Sequence, residues 1–164
     1  MQKIVSLKEI KKLLSARFKS KNAVLATGCF DLLHQAHKDF LTAAKAQGDV
    51  LVVGLESDKR IEQLKGKARP INHWQKRAEA LAKLSVVDFI FPLPETFDKP
   101  ESHQQLLQLI KPKVLAVSEN SPYLKSKKKL CRLNGVRIFI FPFNPLYSTT
   151  KTISLKRKKI PLDI

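Results

Sequence analysis

Short apolar runs recur along this chain and alternate with stretches of helical periodicity. The run AVLAT (23–27) ends at Gly28, and DVLVVGL (49–55) is the next such run. A short, continuously apolar run is typical of a strand that is buried on both faces of a sheet. Residues 35–47 between the two runs have helical spacing. The segment therefore predicts a βαβ unit with parallel strands and a right-handed crossover.

The same alternation continues as far as residue 141 and predicts the fold class. Further strands are predicted at FIFPL (89–93), KVLAVS (113–118) and VRIFIF (136–141), and further helices over 7–18, 73–84, 101–110 and 121–133. Five strands alternating with helices predict a Rossmann-like, doubly wound α/β fold, with a five-stranded parallel sheet in three layers. We expect a single domain over 1–155, with an N-terminal helix over about 6–18 that Ser6 caps. A last short helix is expected near Thr149, followed by a basic tail over 156–164.

The charge of the chain is strongly positive and favours anionic partners. Lys and Arg number 31 against 14 acidic residues, a formal net charge of +17. Nucleotides, phosphorylated metabolites, nucleic acid and acidic surfaces are all compatible with that charge. The sequence contains no RNA-binding or helix-turn-helix signature, so only non-specific, salt-sensitive binding to nucleic acid is expected. No apolar run is long enough to span a bilayer, and Cys29 and Cys131 lie far apart, so we expect a reduced cytoplasmic protein.

The turn after the first predicted strand, GCFDLLHQAH (28–37), carries the residues best suited to chemistry. In a doubly wound sheet, ligands bind at the carboxyl ends of the strands, where this turn belongs. Gly28 permits a tight exit from the strand, and the helix that follows begins with free N–H groups that suit a phosphate. His34 and His37 lie within one helical turn, so both imidazoles can face one ligand. A structural histidine pair remains an alternative; a metal pair has no third ligand at suitable spacing, so no metal ligand is assigned.

These residues resemble a known signature. TGCFDLLHxxH is similar to the TxGxFDxxHxGH motif of the cytidylyltransferase-like nucleotidyltransferases. VVGLESDKRIEQLKGKARPINHWQKRAEALAKLSVVDFIFPL resembles the second strand, the Lys-Gly and Arg-Pro-Ile segments, the Arg-bearing helix and the Val-Asp of that family, and YSTTKTI (147–153) resembles its closing Ser-Thr-Thr motif. The similarity runs from about 22 to 153. The order of parts most resembles the heptose-phosphate adenylyltransferase type, with glycerol-3-phosphate cytidylyltransferase as a more distant relative.

The resemblance implies a reaction. A phosphorylated small molecule, such as a sugar or polyol phosphate, would attack the α-phosphorus of a nucleoside triphosphate and release pyrophosphate. Transfer of AMP is favoured over CMP, because the layout is closer to the adenylyltransferase type. The family also implies Mg²⁺ as a cofactor, no covalent protein nucleophile, and a homodimer.

The resemblance also assigns roles to individual residues. Lys65, in a loop after the second strand, could hold either the acceptor phosphate or the triphosphate. Arg77, on the next helix, could bind a phosphate in a bidentate manner through its guanidinium group. The structural alternatives are a solvated loop for Lys65, an exposed helix charge for Arg77, and simple helix caps for Asp31 and for residues 148–150. The implied catalytic residues are His34, His37, Lys65 and Arg77; the implied nucleotide-binding residues are Thr27, Gly28, Cys29, Phe30, Asp31, Ala36, Ser148, Thr149 and Thr150; the implied substrate-binding residues are Lys65, Arg69 and Asp58.

Two segments depart from the family pattern. Ala36 stands where the family has a glycine between its two histidines. VLAVSENSPY (114–123) stands where the family has a Lys-Gly-x-Asp-Tyr segment. These departures motivate an alternative hypothesis, in which the chain is a catalytically degenerate protein of the same fold that binds a nucleotide or a partner.

Overall fold

The strands form one parallel sheet, as the alternating pattern predicted. The computed structural model describes residues 2–97 and 99–142. The sheet has the order β3-β2-β1-β4-β5, with every neighbouring pair parallel. This order confirms the doubly wound five-stranded fold, because the chain builds outward from β1 in one direction and then in the other. The strands are β1 (Ala23–Gly28), β2 (Val50–Leu55), β3 (Phe89–Pro92), β4 (Val114–Ser118) and β5 (Arg137–Phe141).

Six helices connect and cover the strands within the described residues. The first begins after Ser6 as predicted, although it ends two residues earlier than predicted, at Ala16. The Ser6 hydroxyl accepts from the Glu9 backbone N–H at 3.2 Å, and the Glu9 carboxylate accepts from the Ser6 N–H at 2.7 Å. This reciprocal pair satisfies N–H groups that the helix itself leaves free. The helices are α1 (Leu7–Ala16), α2 (Gln35–Lys45), α3 (Asp58–Lys65), α4 (Trp74–Ala82), α5 (Pro100–Ile110) and α6 (Leu124–Leu133).

The sheet is covered on both faces, which gives the three layers that the sequence predicted. One core cluster joins α1, α5 and α6 to one face of the sheet, and a second cluster joins α2 and α4 to the other. Central strands β1 and β2 contribute alternate residues to the two clusters; Leu25 packs in the first and Val24 in the second. Continuous apolar runs are therefore needed in these strands, because both of their faces are buried.

Helix α3 was not predicted, and Lys65 lies at its last position rather than in a loop. Only Ile61 of this helix is buried, so the segment has no apolar stripe to indicate a helix. Its ends are nevertheless defined: the Ser57 hydroxyl accepts from the Arg60 N–H at 3.1 Å, and Gly66 follows with φ 92°. The predicted helix near Thr149, the closing motif and the basic tail lie outside the described residues. Within the described ranges, no helix is long and apolar enough to cross a membrane.

Candidate active site

The chain leaves β1 through a tight, strained turn. Phe30 has φ 44°, in the left-handed region that residues with a side chain rarely adopt. A Cβ atom on Gly28 would lie 2.9 Å from the Phe30 ring, so a larger residue there would require that ring to move. Phe30 itself is buried, which is how the surrounding core maintains an unfavourable backbone conformation. The packing of its own residues therefore constrains the shape of this turn.

Asp31 ties this turn to the segment before α4. Its side chain is buried, and its two oxygens accept from the backbone N–H groups of Ile71 at 3.0 Å and Asn72 at 2.9 Å. The Arg69 Nε atom lies 2.7 Å from the same carboxylate as an ion pair. Asn72 completes the link, since its side-chain amide donates to the Asp31 carbonyl at 2.9 Å. The carboxylate of Asp31 is thus engaged with protein groups, which favours a role in orienting the turn.

Arg77 lies behind the turn and joins the ends of β1 and β2. Its side chain is 1% exposed. Nη1 donates to the Cys29 carbonyl at 2.6 Å, and Nη2 donates to the Glu56 carbonyl at 2.8 Å and to the Asp58 carboxylate at 2.7 Å. Nε donates to the Asn72 carbonyl at 2.9 Å. Arg77 is therefore neither the exposed helix charge nor, in this arrangement, a phosphate contact: it positions the backbone around the site.

His34 and His37 are brought together at the start of α2. His34 is the N-cap residue, and its ring stacks on that of His37 with centroids 3.8 Å apart and planes at 25°. The Phe30 ring supports His37 edge-on, with a centroid distance of 5.4 Å. The Nδ1 atoms of both histidines are buried and have no hydrogen-bond partner among the described residues. Buried polar atoms are normally paired, so two unpaired imidazole nitrogens side by side indicate a ligand site.

The start of α2 adds further donors beside the histidine pair. His34 makes no side-chain cap bond. In the part of the chain that the structure describes, no acceptor pairs with the backbone N–H groups of Gln35 and Ala36. Free N–H groups and the positive end of the helix dipole favour an anion at this place.

Both histidines are neutral at pH 7. Burial, and then the proximity of His34, lower the pKa of His37 to about 4, and the charge of Lys65 lowers it further. The nearby Leu32 carbonyl acts in the opposite direction, without forming a well-shaped hydrogen bond to the ring. Burial also lowers the pKa of His34. Each neutral ring donates through one N–H. A bound polyphosphate would favour the charged forms, because its negative charge opposes the desolvation of the rings.

A cleft of about 540 Å³ opens at the carboxyl ends of the strands, where a doubly wound sheet is expected to bind its ligand. One side of the cleft is the turn and the start of α2, which we call the histidine wall: Gly28, Cys29, Phe30, His34, Ala36 and His37. Five further polar residues of the lining, which we call the distal wall, lie outside this segment: Glu56, Arg60, His103, Ser121 and Lys127. None of the distal-wall residues was predicted from the sequence, because they come from separate segments of the chain with no shared motif.

The predicted site residues fall into three groups. Three do not line the cleft and instead brace its turn: Asp58, Arg69 and Arg77. Three lie outside the described residues: Ser148, Thr149 and Thr150. The structure brings the others together around the cleft: Thr27, Gly28, Cys29, Phe30, Asp31, His34, Ala36, His37 and Lys65. Burial raises the pKa of the Cys29 thiol, which disfavours the reactive thiolate form.

A Mg²⁺ ion held by the protein would need several oxygen ligands grouped at the cleft. Within residues 2–97 and 99–142, no three His, Cys, Asp or Glu residues are grouped so that they could hold a metal. Of the acidic residues at the cleft, Asp31 is engaged with the Arg69 segment and Glu56 faces Arg60 and Lys127. The described residues do not fit a metal centre formed by the protein alone.

Comparison with known proteins gives a consistent result. A family model described as Cytidylyltransferase-like matches residues 25–154. The bifunctional protein HldE of Aliarcobacter butzleri (strain RM4018) is 41% identical over 113 residues, covering 68% of this chain and 23% of that protein. The bifunctional protein HldE of Helicobacter pylori (strain ATCC 700392 / 26695) is 37% identical over 151 residues, covering 92% and 30%. The chain therefore spans less than a third of the length of these curated relatives.

Solved structures are also similar. The crystal structure of the lipopolysaccharide core biosynthesis protein from Thermoplasma volcanium GSS1 has a TM-score of 0.60 and 26% identity, covering 76% of this chain and 97% of that one. The pantoate-beta-alanine ligase from Francisella tularensis has a TM-score of 0.70 at 18% identity, covering 98% and 79%, and shares the fold alone.

Proposed function

The chain belongs to the cytidylyltransferase-like family, and on that premise we propose that it transfers a nucleotidyl group from a nucleoside triphosphate to a phosphorylated small molecule. One observation carries the proposal: two stacked histidines with unpaired buried nitrogens lie at a helix start, on the wall of a cleft at the carboxyl ends of the strands. Their position beside free backbone N–H groups suits the phosphates of a nucleotide.

The proposed reaction is a single displacement. An oxygen of the acceptor phosphate forms a bond to the α-phosphorus, the bond to the bridging oxygen breaks, and pyrophosphate leaves. Charge builds on the phosphate oxygens in the transition state, where the N–H groups of His34 and His37 donate hydrogen bonds. The N–H groups of Gln35 and Ala36 and the charge of Lys65 support the same oxygens. The protein supplies alignment and charge stabilisation, and no side chain forms a covalent intermediate.

The proposed donor is ATP with Mg²⁺, and the proposed acceptor is a sugar phosphate. The order of motifs favours ATP over CTP, and the relative from Thermoplasma volcanium is named for lipopolysaccharide core biosynthesis, which suits a sugar acceptor. Because the described residues do not form a metal centre, we propose that Mg²⁺ is held mainly by the triphosphate oxygens. A homodimer, a cytoplasmic location and non-specific binding to nucleic acid stay predictions.

The test is pyrophosphate release from a matrix of ATP, CTP, GTP and UTP against sugar and polyol phosphates. We expect release only with a phosphorylated acceptor, and fastest with ATP. A matched panel with unphosphorylated sugars controls for slow hydrolysis of the triphosphate. The proposal fails if no triphosphate binds and no combination releases pyrophosphate above that control.

A second candidate function is nucleotide binding without turnover, and Ala36 favours it. This residue lines the cleft at the second position of α2, where its methyl group narrows the approach of a ligand to the helix start. The two candidates are separated by the same matrix. Binding of ATP with no pyrophosphate release from any acceptor would support the second candidate.

A further inference from the structure

Lys127 is a charged residue that lies almost entirely out of water. It is 8% exposed, on α6, and its Nζ atom donates to the Ser121 hydroxyl at 2.7 Å. That bond attaches α6 to the segment after β4, so the amine is held at the cleft. Burial lowers the pKa of Lys127, and the Glu56 carboxylate opposes this shift. Burial of a lysine is costly unless its charge is paired with another group. The ammonium group has three N–H donors, and the Ser121 hydroxyl uses only one of them.

Glu56 and Arg60 add unpaired polar atoms to the same wall. Glu56 Oε2 and Arg60 Nε are buried and have no hydrogen-bond partner within the described ranges. Burial raises the pKa of the Glu56 carboxyl, while the charges of Arg60 and Lys127 oppose that shift. These groups are thus close enough to interact electrostatically, yet their remaining donors and acceptor have no hydrogen-bond partner among the described residues. A ligand with both acceptor and donor atoms would satisfy them.

His103 completes the distal wall as a neutral group. Burial lowers its pKa, and the positive charges of Lys127 and Arg60 lower it further. Its Nδ1 atom lies 3.1 Å from the Lys99 carbonyl, an atom that can only accept, so Nδ1 carries the proton. Nε2 of the neutral ring is then an acceptor. The charged groups of the distal wall are therefore two cations and one carboxylate, with a neutral acceptor beside them.

Building on the proposed function, we propose that the distal wall binds the acceptor, a polyhydroxylated phosphate monoester. Arg60 and Lys127 hold its phosphate. Glu56 and His103 accept hydrogen bonds from its hydroxyl groups. A guanidinium and an ammonium suit a phosphate, and a carboxylate suits hydroxyl donors. Separate anchors for the two anions allow both to occupy one cleft, with the triphosphate on the histidine wall and the acceptor on the distal wall.

The experiment measures binding of inorganic phosphate and of glucose 1-phosphate at constant ionic strength, by the shift in thermal midpoint and by calorimetry. Each titration is run with and without saturating α,β-methylene ATP, which occupies the nucleotide site without reacting. The variants are Arg60→Gln and Lys127→Met. Their controls are Lys59→Gln and Lys128→Met, exposed neighbours that lose the same charge on the same helices.

We expect glucose 1-phosphate to bind the nucleotide-loaded protein. Arg60→Gln and Lys127→Met should each weaken that binding about tenfold, the loss typical of a charge-assisted hydrogen bond, with both controls unchanged. Affinity for α,β-methylene ATP should change less than twofold in the same variants. Glu56→Gln should weaken the binding of glucose 1-phosphate without weakening that of inorganic phosphate, because the proposal pairs this carboxylate with the hydroxyl groups of the sugar.

Three outcomes would overturn the inference. Equal weakening by the exposed controls would mean that general positive charge attracts the phosphate. Weakened binding of α,β-methylene ATP in Arg60→Gln and Lys127→Met would assign the distal wall to the triphosphate. If all variants still bound phosphate as the parent does, the distal wall would be excluded as the phosphate site. By contrast, a protein that binds phosphate through Arg60 and Lys127 but binds no nucleotide would overturn the proposed function and leave the distal anion site standing.

Discussion

The two walls of the cleft are built in opposite ways. The histidine wall comes from ten consecutive residues, 28–37, and its reactive groups are neutral. The distal wall comprises Glu56, which directly follows β2, Arg60 from α3, His103 from α5, Ser121 from the β4–α6 connection and Lys127 from α6. Its groups are mainly charged and half-buried or buried. A contiguous wall can be recognised as a motif, whereas an assembled wall exists only after the strands align.

The difference extends to how each wall is held. The histidine wall rests on a strained Phe30, a buried Asp31 and a buried Arg77, so its shape is determined by bonds to backbone groups. Among the described residues, one hydrogen bond joins two members of the distal wall, from Lys127 to Ser121, and other polar atoms of the wall are unpaired. We infer that the first wall is preorganised for phosphate chemistry, and that the second is completed by its ligand.

The largest expected effect comes from removing the side chain that supports both walls. Arg77 bonds the Cys29 carbonyl on one side and the Glu56 carbonyl on the other. Arg77→Met leaves these buried carbonyls without a donor, and we expect it to lower the free energy of unfolding by about 3–5 kcal/mol, as for other broken buried networks. Urea denaturation measures this loss. Lys76→Met, an exposed change on the same helix, is the control, and a loss of under about 1 kcal/mol in Arg77→Met would contradict the bracing role.

The second-largest effect is expected from a substitution that changes only the histidine wall. His37→Ala removes one transition-state donor, and we expect turnover to fall by about 10²–10³-fold while the fold is retained. Binding of inorganic phosphate to the distal wall should be unchanged. His73→Ala is the matched control, because His73 is an exposed histidine outside the cleft. Full activity in His37→Ala would show that the motif does not act in the reaction.

A smaller effect concerns pH. His37 has a pKa of about 4 in the folded protein, against the ordinary value of 6.5. The unfolded chain therefore binds more protons between these two values, so stability is complete above about pH 6.5 and falls as the pH drops towards 4. His37 should account for at most about 3 kcal/mol of that fall.

The measurement is the free energy of unfolding of the parent and of His37→Gln between pH 4 and 8. Carboxylates elsewhere contribute equally to both proteins and cancel in the difference. We expect the stability of the parent to fall more steeply than that of His37→Gln as the pH drops. Parallel curves would mean that the ring is not held neutral by the histidine wall.

The smallest expected effect is a change in ATP affinity, and it tests the role of Ala36. Ala36→Gly removes a methyl group that lines the cleft at the start of α2, and we expect ATP to bind about tenfold more tightly, the lower end for one carbon in a pocket. Calorimetric titration with ATP, beside an Ala43→Gly control on the same helix, measures the change. Unaltered affinity would show that the methyl group does not touch the nucleotide, and a gain of several thousandfold together with new turnover would favour the non-catalytic candidate.

Much of the fold could be predicted from the sequence. Buried parallel strands must be apolar on both faces, and short apolar runs such as AVLAT and DVLVVGL identified all five strands to within one residue at each end. Helix α3 could not be predicted in the same way. It buries only Ile61, so the signal that marks an amphipathic helix is absent, and caps alone define its ends. The closing motif at 148–150 stays a prediction, because it lies outside the described residues.

By itself, the sequence determined the doubly wound sheet and the presence of two histidines within one helical turn at the end of its first strand. Both follow from local spacing: periodicity decides strand and helix, and a three-residue interval brings His34 and His37 to one side of α2. Only the tertiary structure decided that Arg77 is buried behind the turn and that Arg60, His103 and Lys127 face the same cleft. The physical reason is that burial and convergence arise when parallel strand ends meet, and residues as far apart as Glu56 and Lys127 carry no sequence signal of that meeting.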